Sequence, residues 1–176
     1  MSTVDVARTS LVIFFVLVVQ HSLLDAVRLS GAHPDAVLLM AAAAGYVGGP
    51  ERGATVGFFT GLAADLLLPT TFGLTALVGC LVAFAVGTAT SGLVRNSGPL
   101  AVLALTAGTV AGLVGYAVLE AVLGVAGAIS VDLAPALVVA TPAAAILALP
   151  LLWLVRWSVP PMVPPAAAAH PGGLGR

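Results

Sequence analysis

Lysine is absent from this sequence. Its absence removes a Walker-type phosphate loop, which needs a lysine on the nucleotide phosphates, and any Schiff-base chemistry on a lysine amine. Charge is scarce in both signs: six Arg and seven Asp or Glu leave a formal net charge of −1. Nucleic-acid binders carry clustered Lys and Arg, and no such cluster occurs here. A single cysteine, Cys80, excludes an intrachain disulfide and reads as a buried small hydrophobe in an apolar helix. His21, His33 and His170 sit in separate regions without metal-ligand spacing, so neither a metal nor any other cofactor is implied.

What remains is apolar. Hydrophobic residues make up 60% of the chain, charged residues 7%, and the mean hydropathy is +1.16, whereas a soluble domain carries about 25% charged residues. Several runs approach the ~20 residues that cross a hydrocarbon core of ~30 Å. The sequence therefore predicts an all-α integral membrane protein with one domain over residues 1–157. Six spans are expected, near Thr9 to Leu24, Pro34 to Tyr46, Gly53 to Leu68, Phe72 to Val94, Pro99 to Leu123 and Ala134 to Trp157. The second and third are short, roughly 20 to 24 Å at 1.5 Å per residue. Pro34 is expected in the first turn of the second span, and Pro50 and Gly53 in a tight turn, GGPERG, at a membrane surface. Residues 158–176, rich in Pro, Ala and Gly, read as a disordered tail.

Arginine placement sets the expected direction. With the N-terminus inside, Arg8, Arg52, Arg95, Arg156 and Arg176 are cytoplasmic and only Arg28 is outside, a ratio of five to one. Both termini then lie in the cytoplasm. Trp153 and Trp157 flank Arg156 at the inner end of the sixth span, where amphipathic rings favour the headgroup level. Asp5 balances Arg8 ahead of the first run, and no A-x-A site follows Leu24, so that run reads as a retained span and not a cleaved signal.

Charge inside such a domain is costly and needs a reason. On the third span Gly53, Gly57, Gly61 and Asp65 recur every four residues and share one helical face, along which another helix can approach closely. The fifth span repeats the pattern with Ala104, Gly108, Gly112, Tyr116 and Glu120. Both spans run outward, which puts Asp65 and Glu120 at comparable depth near the outer end. Two readings stay open: each carboxylate hydrogen-bonds a neighbouring helix or reaches the outer surface, or the two contribute to a partner or ligand site. An ion pair with Arg28 fits either. Catalysis has little support: intramembrane aspartyl peptidases carry GxGD, whereas this chain has GLAAD, and the Asn-rich motifs of lipoprotein signal peptidases are missing from a chain whose sole asparagine is Asn96.

A family resemblance spans roughly Gln20 to Gly92. Its elements are His33-Pro34-Asp35 opening a short apolar helix, Gly49-Pro50 and Gly53, GFFTGLAADLL from Gly57 to Leu67, and Phe72-Gly73-Leu74-Thr75-Ala76-Leu77. Together they resemble MreD, the family of bacterial rod shape-determining membrane proteins. The resemblance implies a non-enzymatic scaffold in the cytoplasmic membrane, part of the elongation machinery for peptidoglycan. Its implied partners are the single-span protein MreC, the RodA polymerase with its transpeptidase and, indirectly, the actin-like MreB. Within the resembling stretch the partner-facing or pocket candidates are Gly57, Gly61, Asp65 and Gly73; Glu120, beyond it, joins them from its place on the fifth span alone. The family's fold is thought to be similar to the S components of energy-coupling-factor transporters, which supplies the alternative function, an S component holding a vitamin-like ligand. S components present small-residue faces to a coupling subunit, and here only diffuse runs such as Ala41 to Ala44 are available for that.

Overall fold

The computed structural model describes residues 3–20, 22, 35–67, 72–92, 98–124 and 133–159, with the backbone alone for 133–140. The described residues form five helices: α1 Thr3–Val19, α2 Ala36–Leu67, α3 Leu74–Ala89, α4 Gly98–Val122 and α5 Leu133–Ser158. Of these α2 is not one rod. Gly49 has φ 80° and ψ −178°, a conformation that essentially only glycine adopts. Pro50 follows as the first residue of a second helical arm, where its missing N–H breaks no hydrogen bond. The chain reverses there. Gly53 lies so close to Gly45 that a Cβ on it would collide with the Gly45 backbone, although eight residues along a straight helix span ~12 Å.

The expected second and third spans are therefore the two arms of α2, folded into a hairpin. Two details of the expectation change. The second arm starts at Pro50, and Gly53, expected at the turn, sits inside the arm and packs on Gly45. The reason is that Gly49 alone supplies the positive φ that the reversal needs. Other helix ends shift further: α1 begins at Thr3 and not Thr9, and α3 stops at Ala89, short of Val94, with Thr90 closing it, while α4 and α5 agree with the sequence within one residue. Cys80, expected to be buried, is partly exposed on α3. Pro34, Arg28, Arg95, Arg176, the three histidines and residues 160–176 lie outside the described residues.

Ala36 to Gly49, the first arm, is buried along its whole length, with Met40 and Ala41 to Ala44 fully enclosed. A helix that is apolar all round needs such a setting. The remaining segments surround it, and their contacts fix their directions. Gly79 and Ala83 of α3 meet Ala41 and Gly45, so α3 runs parallel to the first arm; Gly57 meets Gly79 and Gly61 meets Thr75 and Ala76, so it runs antiparallel to the second. On α4, Gly108 faces Ala42 and Val86 while Gly112 faces Leu38 and Val82, which makes α4 antiparallel to the first arm. The last turn of α5 reaches the hairpin, with Val159 beside Gly48. Finally α1 touches the start of the first arm through Gln20 and the end of α5 through Thr9. Successive segments thus alternate in direction.

Side-chain size is distributed inversely to that of a water-soluble core. All six phenylalanines, Phe14, Phe15, Phe58, Phe59, Phe72 and Phe84, are exposed, whereas the interior is mostly Ala, Val, Leu and Gly, with Tyr46 and Met40 its largest exceptions. Where hydrocarbon is the solvent, no hydrophobic gain draws a large side chain inward, and close backbone packing over small residues holds the helices together. The buried hydroxyls of Thr60, Thr90 and Thr109 each bond the carbonyl one turn back, at 2.7, 2.7 and 2.9 Å. Those bonds satisfy polar atoms that have no water within reach. Two segments, α4 and residues 141–158 of α5, are long and apolar enough to cross a membrane.

Candidate functional site

Asp65 ends the glycine face of the second arm, and the fold gives it a specific task. The next helix, α3, starts from Gly73, which has φ 89° and no side chain with which to cap the free N–H groups of the first turn. Asp65 supplies the cap from the neighbouring segment. Its Oδ2 accepts hydrogen bonds from the backbone N–H of Gly73 at 2.9 Å and of Ala76 at 3.2 Å. Ala76 is the third residue of α3, one of the positions at which an N-cap side chain ordinarily accepts. The carboxylate also meets the positive end of the helix dipole. At 4% exposure, an isolated acid would be very unfavourable; here it has two backbone donors.

The same end of the bundle contains a second capped start. Asp35 caps α2 with its own side chain, Oδ1 accepting from Val37 N and Leu38 N, both at 3.0 Å. Gln20, from α1, accepts from Ala36 N at 2.9 Å through Oε1. One side chain from the same segment and one from a neighbour thus cover the first three N–H groups of the buried arm. On α4 the Tyr116 hydroxyl lies near Glu120 one turn further on, and the phenol lies in the electrostatic field of Asp65 and Asp35 as well. Three carboxylates and a phenol therefore gather at one end.

This arrangement determines what the carboxylates can do chemically. A peptidase of the aspartyl type needs two acids turned towards one water, whereas Asp35 and Asp65 are each turned towards the amide nitrogens of a different helix start. Their work is to orient helices. Of the residues singled out in the sequence, Gly57, Gly61, Asp65 and Gly73 come together in the seam between the second arm and α3. The chain's own α3 fills that seam: a Cβ on Gly57 would lie 2.5 Å from Gly79 O, and one on Gly61 would strike the backbone of Thr75 and Ala76. Glu120, at the same end but on α4 and partly exposed, is not part of that seam. Ala41 to Ala44, fully enclosed, present no face to another subunit.

Several contributors escape a reading of the sequence. In α3, Gly79, Ala83 and Gly87 recur every four residues, a spacing visible in the sequence: Gly79 and Ala83 meet Gly57, and Ala83 also meets Gly45 of the first arm. Gly87 meets the turn itself, a Cβ there lying 2.6 Å from Pro50 N. Asp35 followed by an apolar run is a readable N-cap. Gln20 carries no local signal, because its partner is on another helix.

The opposite end carries the basic side chains. Arg8 of α1 lies over the Trp157 ring of α5, with its Cζ 5.2 Å from the ring centroid, and Thr9 Oγ1 donates to Ser158 O at 3.4 Å. Glu51 and Arg52 are exposed at the α2 reversal, and Arg156 is exposed on the last turn of α5. Arg8, Arg52 and Arg156 therefore share one end, as the arginine pattern predicts.

Comparison with known proteins gives one positive result. The model of the family described as rod shape-determining protein MreD matches residues 5–158, from the first turn of α1 to the last residue of α5. No curated protein and no solved structure matches the chain.

Proposed function

Because the chain belongs to the MreD family of rod shape-determining membrane proteins, we propose that it is a non-enzymatic, multi-pass scaffold of the cell-wall elongation complex in the cytoplasmic membrane. In this reading it has six spans with both termini in the cytoplasm, and the arginine-bearing end faces inward. It binds an MreC-like single-span protein and, through the complex, helps control peptidoglycan synthesis by RodA and its transpeptidase under MreB.

The observation that carries the reading is a family match over residues 5–158, which takes in nearly all of the helical bundle and not one motif alone. The geometry supports a scaffold: buried Asp65 and half-buried Asp35 brace helix starts, and the glycine faces lock segments of the same chain together. With the seam between the second arm and α3 closed from within, the partner meets the outer surface of the bundle near the Asp35 and Asp65 end.

The test is genetic and biochemical together. Depletion from a rod-shaped host rounds the cells, re-expression restores rods, and the protein purified in mild detergent brings an MreC-like protein with it. Cells that keep their shape on depletion, or a folded protein that carries no MreC-like partner, would count against the proposal.

A further inference from the structure

We propose that the α1–α5 junction at the arginine-bearing end binds the phosphate of an anionic membrane lipid. The junction is a built contact between the first and last helices. Thr9 Oγ1 reaches Ser158 O, and the Arg8 guanidinium lies over Trp157. Arg8 is exposed at this junction. A cation held by a ring face keeps its charge, and its N–H donors stay turned outward. Guanidinium donors form a planar fork that matches two phosphate oxygens at once.

The depth is that of a headgroup. Trp157 and Trp153 are 49% and 73% exposed at the end of an apolar helix, the position at which indole rings settle between hydrocarbon and water. Exposed Arg156 adds a second positive charge beside Trp157. A lipid phosphate seated here would have its acyl chains run along the lower turns of α5, where Leu149 and Ile146 are exposed. A headgroup held at Arg8 would also sit across the contact of α1 with α5, which touch each other through few residues. The inference is independent of the scaffold role proposed above.

Trp153 and Trp157 are the only tryptophans of the chain, and both belong to α5 near this junction, so intrinsic fluorescence reads the site without a label. The full chain is reconstituted in phosphatidylcholine vesicles containing either acyl-brominated phosphatidylglycerol or acyl-brominated phosphatidylcholine at the same mole fraction. Stronger quenching by the brominated anionic lipid is expected. Arg8→Gln should lower the preference for that lipid about fivefold, the weight of one arginine at an anionic surface. Arg8→Lys keeps the charge but loses the fork and should fall between. Arg52→Gln, at the same end but on the α2 reversal, should leave most of the preference intact.

Equal quenching by both lipids in the wild type would overturn the proposal. Equal losses in Arg52→Gln and Arg8→Gln would overturn it too, since they would mean a diffuse surface charge without a site. Inorganic phosphate that abolishes the preference at matched ionic strength would point to a soluble anion in place of a lipid.

Discussion

Replacing Asp65 by alanine should unlatch the start of α3. The wild-type carboxylate accepts from Gly73 N and Ala76 N in a site that is 4% exposed. Loss of a helix cap costs about 1 kcal/mol on average, and each buried donor left without an acceptor costs about 1–3 kcal/mol. Because removing the cap and stranding the donors are partly the same event, a destabilisation of about 2–4 kcal/mol is expected. Asp65→Asn keeps an acceptor oxygen close to the same place and loses mainly the charge–dipole attraction, about 1 kcal/mol. The expected order of stability is wild type, Asn, Ala. Reversible unfolding in bicelles gives the totals, and hydrogen exchange of the Gly73 to Leu77 amides gives the location. A local loss of about 3 kcal/mol corresponds to roughly a hundredfold faster exchange at Gly73 and Ala76. If Asp65→Ala changed stability by less than about 0.5 kcal/mol, the range of an ordinary surface substitution, or if exchange rose elsewhere while the first turn of α3 stayed protected, the cap would not be what holds Asp65 in place.

Two glycine contrasts follow from the same geometry. Gly57→Ala puts a Cβ 2.5 Å from Gly79 O and 3.0 Å from Ala83 Cβ, so the second arm and α3 must separate, at a cost of about 1–3 kcal/mol. Gly115→Ala has open space around the new methyl and should stabilise α4 by about 0.5–1 kcal/mol; thermal unfolding of the two variants in one detergent should shift in opposite directions. Gly49→Ala has to adopt φ 80° and ψ −178° with a side chain, at about 1–3 kcal/mol, and a distance label pair across the two arms should show a wider or mixed separation.

How much of this could be read from the residues varies along the chain. The Gly57, Gly61, Asp65 spacing is visible in the sequence because a helix repeats every 3.6 residues, and a single face can be counted without any partner. The direction of that face could not be counted. It points at Thr75, Ala76, Gly79 and Ala83 of α3, and the match between two small-residue faces arises only when the α2–α3 connection brings them together. Asp35 is legible as a cap because the N–H groups it accepts from lie two and three residues ahead, whereas Gln20 serves the same helix from sixteen residues away. The break at Gly49-Pro50 is plain from composition, yet its sharpness is not. A Gly-Pro pair is compatible with a kink, a loop or the full reversal that sets Gly53 on Gly45.

By itself the sequence determined that this is an apolar chain with few charges and no lysine, since hydropathy and charge are sums over residues and need no coordinates. It also determined that Asp65 needs a partner, because an acid in that setting is too costly alone. Tertiary structure decided who the partner is. Helix starts expose N–H groups that only a nearby acceptor can satisfy, and the acceptor for α3 lies on another segment, with its nearer bond eight residues away and the other eleven. Whether Asp65 was a candidate for chemistry, for a ligand or for support was therefore a question of distance between segments, and distance is a property of the fold.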